Sequence, residues 1–423
     1  MSNVIVLNPA APRGLPRQEP FGVLDVGTTK MCCLIARRRD SDLQLLGAGY
    51  QLAEGLRGGE IVNAEAAEAS ILAVLHEAEQ QAGTTLREVL LGISAGRPQS
   101  GYGTVEIALG GRAVTGADLE QALTRAEAEA RGDGVEVLHA LPVEISLDGG
   151  QPLRDPRGML GRELQVVVHL VRLAAAPLHN LVAAVERCHV QVGGVVPSSY
   201  AAGLACLSED ETTLGALVLD LGGGVTGVAR FADGMLQEIH AVPLGGHHVT
   251  QDLAFGLSTG RSQAERLKTL YGSVLSRAGD ARQQLEVPGV GDPDDPPAQI
   301  VPRARLTEII RPRVEEIFQL VQARLADSKV PLAGRRLVLT GGGSELEGVI
   351  ELAEEMFCMP ARLGRARALS GELGIGDLTA ATTAIGLLRW SGEDAGSTFR
   401  TRRGTPAIGA RLARLGQWLR ENF

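Results

Sequence analysis

Apolar residues along the chain gather in short blocks, and three of these blocks end in a polar residue followed by glycine. Leu217-Val218-Leu219-Asp220-Leu221-Gly222-Gly223-Gly224 is an apolar run of strand length closed by three glycines. Phe21-Gly22-Val23-Leu24-Asp25-Val26-Gly27-Thr28-Thr29-Lys30 repeats the pattern near the N-terminus, and Arg336-Leu337-Val338-Leu339-Thr340-Gly341-Gly342-Gly343-Ser344-Glu345 supplies a third copy. Further strands are predicted over Lys30–Ala36, Leu43–Leu52 and Arg87–Ile93. Apolar positions three and four apart predict helices over Ala64–Ala82, Ala117–Arg131, Ala176–Val190 and Thr307–Leu325. The first carries Ile71, Leu72, Leu75 and Ala78 on one face. The last carries Ile310, Val314, Ile317, Phe318, Val321 and Leu325, which read as core.

These elements divide the chain. Three strands, a helix and a strand form one lobe's sheet over residues 21–93. Residues 94–162 break the pattern with a glycine-spaced strand pair (Tyr102–Leu109 and 112–114), a helix and strands around Val135–Leu138 and Val143–Leu147. They read as an inserted α+β subdomain. Gln165–Leu173 is expected to rejoin the first lobe, which resumes over 163–214. A second lobe spans 215–260 and 335–390, with a small subdomain over 261–334. Residues 1–20, holding Pro9, Pro12, Pro16 and Pro20, read as a disordered arm, and Gly289–Pro297 as a loop. The expected fold is α/β: two lobes, each with a mixed sheet flanked by helices.

The chemistry lies in the turns. A carboxylate at the end of an apolar strand costs several kcal/mol to bury, on the order of 2–7, unless something pairs with it. Hydrated Mg²⁺ is a suitable partner because it keeps waters and needs few protein ligands. Glycines beyond it let backbone N–H groups face an anion. Asp220 alone fits a metal–phosphate site or a capped turn equally; the second copy, with Asp25 and the donors Thr28, Thr29 and Lys30, favours the first. A Walker-type G-x-x-x-x-G-K-[ST] is absent, as is a G-x-G-x-x-G opening a helix. The chain has 423 residues, a net charge of −9 and 3% aromatics, which argues against a nucleic-acid-binding body. Five cysteines without C-x-x-C fit a reducing compartment. His247 and His248 lack a third ligand at metal spacing and read as polar surface.

The three glycine turns, in this order, resemble the phosphate-1, phosphate-2 and adenosine motifs of the actin/Hsp70/sugar-kinase ATPase superfamily. That resemblance implies ATP and Mg²⁺ held between two lobes, with Asp25 and Asp220 holding Mg²⁺ through water. Gly27, Thr28, Thr29, Lys30, Gly222, Gly223, Gly224, Gly341, Gly342, Gly343 and Glu345 would lie around the nucleotide. Gly245 and Gly246 sit at a strand-to-helix turn, where helix N–H groups can meet phosphate. Glu265 and Lys268 are one helical turn apart and read either as a surface ion pair or, by the resemblance, as groups flanking ribose and adenine.

Pro142, Asp148, the stretch Asp155-Pro156-Arg157-Gly158-Met159-Leu160-Gly161 and His169 resemble the FtsA family, actin-like proteins of bacterial cell division marked by an insertion at this place. Val185-Glu186-Arg187-Cys188, Pro243-Leu244-Gly245-Gly246 and 309–317 extend the resemblance over most of the chain. It implies filaments of the chain itself, recruitment of later division proteins, and capture of the FtsZ C-terminal tail by the 261–334 subdomain. Arg303, Glu308 and Arg313 are candidates for that contact, an ordinary solvated face being the other reading of each. The superfamily's threonine and aspartate after the phosphate-2 turn are here Val225 and Gly227. Binding is therefore expected, with at most slow hydrolysis.

Beyond Trp390 the composition changes. Residues 391–406 are a Gly/Ser/Thr/Arg-rich linker. In 407–423, Ile408, Leu412, Leu415, Trp418, Leu419 and Phe423 share one helical face, flanked by Arg411, Arg414 and Arg420. A cationic amphipathic helix on an acidic protein suits an anionic membrane surface and is too polar to span one. The resemblance implies the cytoplasmic face of the inner membrane at the division site as the place of attachment. Packing on its own core or on a partner is the other reading of the tail. The chain as a whole has two alternatives: a small-molecule kinase of the same superfamily, lacking a recognisable acceptor carboxylate, or an actin-like scaffold ATPase of pilus-assembly type.

Overall fold

The computed structural model describes residues 19–39, 42–153, 155–289, 299–326, 336–366 and 381–391. The expected N-terminal arm (but for its last two residues), nearly all of the Gly289–Pro297 loop, the linker beyond Ser391 and the terminal amphipathic helix lie outside the described residues.

Two five-stranded sheets share one topology. The first runs, in spatial order, Gln191–Pro197, Glu88–Ile93, Phe21–Val26, Lys30–Arg39, Asp42–Leu52. The second runs Ala361–Leu363, Arg336–Thr340, Ala216–Leu221, Thr226–Ala232, Met235–Val242. In both, three antiparallel strands form a meander and two later strands add in parallel at its first strand. The leading hairpins match in length. Val26 faces Met31 across one turn, and Leu221 faces Thr226 across the other. Each turn is closed by a glycine N–H donating to a carbonyl three residues on, Gly27 to Lys30 and Gly222 to Val225, both at 3.1 Å. Continuous apolar runs dictate these central strands: Val23, Leu24, Leu217, Val218 and Leu219 are fully buried, as expected where both faces of a strand are covered.

The helix Ala64–Ala82 forms where the apolar period predicts it. Asn63 caps its start by accepting from Ala66 N–H at 3.2 Å, and Gly83 ends it at φ 61°. It covers the first sheet with Ile71, Val74, Leu75 and Ala78. Its Gln81 and Glu77 also accept from the outward N–H groups of Ala48 and Tyr50 on the edge strand. The helix Arg303–Ala326 is longer than the stripe suggests and supplies Ile310, Val314, Ile317, Phe318, Val321 and Leu325 to the second lobe's core. A two-stranded ribbon, Gln284–Val287 with Gln299–Pro302, sits beside it.

The inserted subdomain is a three-stranded antiparallel sheet, Gln99–Ala108, Glu163–Ala174, Val135–Leu147, backed by the helix Gly116–Ala130. Two sequence expectations change here. Glu163–Ala174 does not return to the first lobe; it is the central strand of the insertion, paired on both sides. The two strands expected within 135–147 are one strand with two register shifts. Of 112–114, only Ala113 makes a bridge, to Leu160.

The insertion is spliced into the first lobe but also bonds to the second. Ser100 Oγ accepts from Ile239 N–H at 2.7 Å, and the Tyr102 hydroxyl donates to Gln237 O. Buried His169 lies 2.7 Å from Ser100 Oγ and stacks on Tyr102. Beneath this joint, buried Glu238 bridges Arg230 at 2.5 Å and His240 at 2.8 Å.

Beneath the two lobes, the helices Ser198–Cys206 and Thr382–Trp390 cross. A Cβ on Gly386 would stand 1.7 Å from Ala201 O, so the crossing distance requires glycine. Gly386→Ala should therefore part the helices and cost about 1–3 kcal/mol, read as a lower midpoint of thermal unfolding. An unchanged midpoint would contradict the crossing.

Candidate functional site

The paired hairpins bring Asp25 and Asp220 to equivalent places at the floor of the cleft between the lobes. Each sits one residue before the end of its strand, partly exposed. Ser198 Oγ approaches Asp25 at 3.5 Å. Burial, and next the facing Asp220 carboxylate, push Asp25 up to about 7, while Ser198 opposes the shift. Burial alone pushes Asp220 up to about 6. Two like charges at one floor are costly, and a cation between them would lower both.

The two phosphate-type turns touch above this floor. A Cβ on Gly223 would lie 1.9 Å from Thr29 Oγ1, and one on Gly224 would lie 2.8 Å from Thr28 Oγ1. Thr28 Oγ1 accepts from Gly59 N–H at 2.8 Å. Gly341, at φ 79°, passes so near Asp220 that a Cβ would stand 2.4 Å from its carboxylate. Gly342, Gly343 and Glu345 continue into a short 3-10 turn beside Leu221, with Glu345 exposed. Asp25, Gly27, Thr28, Thr29, Asp220, Gly222, Gly223, Gly224 and Gly341 thus converge on one cleft.

The second lobe adds a polar wall. Gly245 precedes the helix Gly246–Gly256. The expected free amides there are taken: Gly246 N–H donates to Gly222 O at 2.9 Å and His247 N–H to Gly223 O at 2.7 Å. Lys268 Nζ donates to Glu265 at 2.8 Å, Thr250 Oγ1 at 2.9 Å and Gly246 O at 3.2 Å. Glu265 and Lys268 do form an ion pair, half-buried against the cleft helix. Burial raises the Glu265 carboxyl, but Lys268 and Thr250 outweigh it and hold it below its ordinary value.

Several of these residues make contacts that the sequence does not reveal. Lys30 is exposed, with its ammonium 5.3 Å from the centre of the Tyr50 ring. Arg303 is spent on Tyr271 O, Asp280 and Glu347, only 14% exposed, and is no free contact group. Arg313 forks onto Asp252 at 2.6 and 3.0 Å and also meets Glu316, tying two helices. Glu308 is exposed and pairs with Arg305. His247 is not surface: its Nε2 lies 3.0 Å from Thr29 Oγ1, across the cleft. The 218-residue separation of that pair hid it from sequence reading. His248 Nδ1 accepts from Gly245 N–H at 3.1 Å.

The substitutions at Val225 and Gly227 are packed into the fold. Gly227 lies opposite Asp220, and a Cβ there would meet Ser199 Cβ at 2.7 Å, leaving no room for a carboxylate. The Thr226 hydroxyl is spent on Leu244 O at 2.8 Å. Among the described residues no three His, Cys, Asp or Glu cluster as a metal cage. A cation at Asp25 and Asp220 would thus depend on water and phosphate oxygens, as Mg²⁺ does. Opposed carboxylates and a cradle of glycines that Cβ atoms would fill suit a magnesium nucleotide. Ile408, Arg411, Leu412, Arg414, Leu415, Trp418, Leu419 and Phe423 lie outside the described residues. No helix among the described residues is long and apolar enough to cross a membrane.

A family model described as "Cell division protein FtsA" matches residues 217–386, and one described as "SHS2 domain inserted in FTSA" matches 95–172, nearly the span of the three-stranded insertion. Cell division protein FtsA of Rhizobium meliloti (strain 1021) is 38% identical, covering 97% of this chain and 98% of its own. The Pseudomonas aeruginosa protein of that name is 34% identical over 95% and 97%, and the Escherichia coli (strain K12) protein 29% over the same shares. Among solved structures, a PilM-PilN type IV pilus biogenesis complex superposes with TM-score 0.63 at 19% identity, over 89% of this chain and 100% of that one. MreB5 of Spiroplasma citri bound to ADP gives TM-score 0.55 at 14% identity, over 89% and 97%. These structural likenesses carry the fold: it is actin-like.

The carboxylate floor sets a pH dependence. Both folded-state pKa values are raised, so between about pH 4 and 7 the native state holds more protons than the unfolded chain. Ligand-free stability should fall as pH rises through that window. Asp25→Asn or Asp220→Asn should raise the melting temperature at pH 8 and flatten its pH profile, measured by calorimetry; an unaltered profile would contradict the burial.

Proposed function

The chain belongs to the FtsA family of cell division proteins, and from that premise we propose that it is an ATP-binding, actin-like scaffold that holds FtsZ filaments at the inner membrane. The observation that carries the nucleotide half is the opposition of Asp25 and Asp220 beneath two touching glycine turns. ATP with water-shelled Mg²⁺ would lie in that cleft, its phosphates against Gly27, Thr28, Thr29 and Gly222 to Gly224. Glu265 and Lys268 would stand on the nucleoside side, and Gly341 to Gly343 would close around it. With no carboxylate at 227, turnover would be slow.

The membrane half rests on the sequence of the tail. Residues 407–423 would lie in the headgroup layer with Ile408, Leu412, Leu415, Trp418, Leu419 and Phe423 inward and Arg411 and Arg414 toward lipid phosphate. One tail would bind reversibly, while a filament of this chain would present many and bind avidly. Self-association therefore tightens attachment. The 261–334 subdomain would receive the FtsZ tail, with exposed Glu308 the remaining candidate of the three, and later division proteins would join the assembly.

Liposomes containing anionic lipid should pellet the intact protein, and deletion of Ala407–Phe423 should abolish pelleting. Pelleting by both forms, or by neither, would overturn the anchoring reading. An FtsZ C-terminal peptide should co-sediment with the lipid-bound protein, and Glu308→Lys should weaken that binding by about tenfold if the pair lies in the contact. Equal binding by the variant would remove Glu308 from it.

A further inference from the structure

The imidazole of His247 ties the second lobe to the tip of the first turn by a hydrogen bond of normal length. Its backbone N–H is fixed on Gly223 O at 2.7 Å, so the residue travels with the second turn. Its Nε2 lies 3.0 Å from Thr29 Oγ1 on the first. There is no spare room at this contact, since a single carbon added to Gly223 would overlap Thr29 Oγ1 and lie 3.5 Å from His247 Nε2. An anion lodged between the turns must therefore part Thr29 from His247. A neutral imidazole carries one N–H and one lone pair, so the same nitrogen can accept from a hydroxyl or, with the proton moved onto it, donate to a phosphate oxygen.

We propose that His247 is a phosphate-responsive latch: it holds the two turns together through Thr29 when no terminal phosphate is present, and releases Thr29 to bond that phosphate when one enters. The proposal rests on the nucleotide reading of the cleft. The charged groups acting on the ring are Arg261 and Lys268 from the neighbouring helix, Glu265 beside Lys268, and His248; from the first lobe it meets the uncharged Thr29. Burial, Arg261 and Lys268 hold the ring below its ordinary pKa, keeping it neutral in the closed state. A group set this way distinguishes a triphosphate from a diphosphate.

The test uses full-length protein with ¹³C-labelled histidine, Mg²⁺, and either ADP or the non-hydrolysable triphosphate AMP-PNP. The His247 signal, assigned by its loss in His247→Gln, should shift in ligand-free Thr29→Val. In the wild type it should move with AMP-PNP much more than with ADP. By calorimetry, His247→Ala should lower the ratio of AMP-PNP to ADP affinity by about tenfold, the loss of one charge-assisted hydrogen bond, and His247→Gln should restore part of it. If both nucleotides bind the wild type and the ratio is unchanged in His247→Ala, the latch is overturned while the nucleotide site stands. If neither nucleotide binds the wild type, the cleft reading falls and the latch with it.

Discussion

Two carboxylates facing each other at the floor of a narrow cleft are the constraint on which the arrangement depends. Asp25 and Asp220 end equivalent strands of two sheets with one topology, so their approach follows from the duplication of the fold. Burial and mutual repulsion disfavour their charged forms together. A hydrated divalent cation bridging to phosphate would relieve this unfavourable pair with few protein ligands. The glycines then follow: at 223, 224 and 341 any Cβ would strike the opposite turn or a carboxylate.

What could be read from the chain before folding was whatever is local. The three strand–turn units are encoded within ten residues each, and the helix Ala64–Ala82 is set by its own stripe and caps. What could not be read is ownership and partnership across distance. Glu163–Ala174 looks like any apolar strand; only pairing on both sides assigns it to the insertion. His247 looks like a polar surface residue until Thr29 is brought to it. Arg303 and Arg313 look available until Asp280, Glu347 and Asp252 neutralise them. Lys30 follows a turn that resembles a phosphate loop, and in the ligand-free fold its ammonium stands over the Tyr50 ring. These counter-charges of Arg303 and Arg313 lie 23 to 61 residues away along the chain, beyond the reach of a local pattern.

At Val225 and Gly227, packing accounts for what stands in place of a threonine and an aspartate. Gly227 is pinned by Ser199, and Thr226 by Leu244 O, so neither position presents a group to the cleft. The carboxylate floor and the glycine cradle are untouched by this.

The insertion's bonds to Met235–Val242 have a consequence of a different kind. That strand is the rim of the second sheet, and a rim presents unmatched amides to any other chain that comes alongside. Ser100 occupies the amide of Ile239 and Tyr102 the carbonyl of Gln237, while on the opposite sheet Gln81 and Glu77 occupy the rim amides of Ala48 and Tyr50. Both meanders are thus closed to strand exchange along these stretches. Any chain laid alongside these stretches would find their amides and carbonyls already taken.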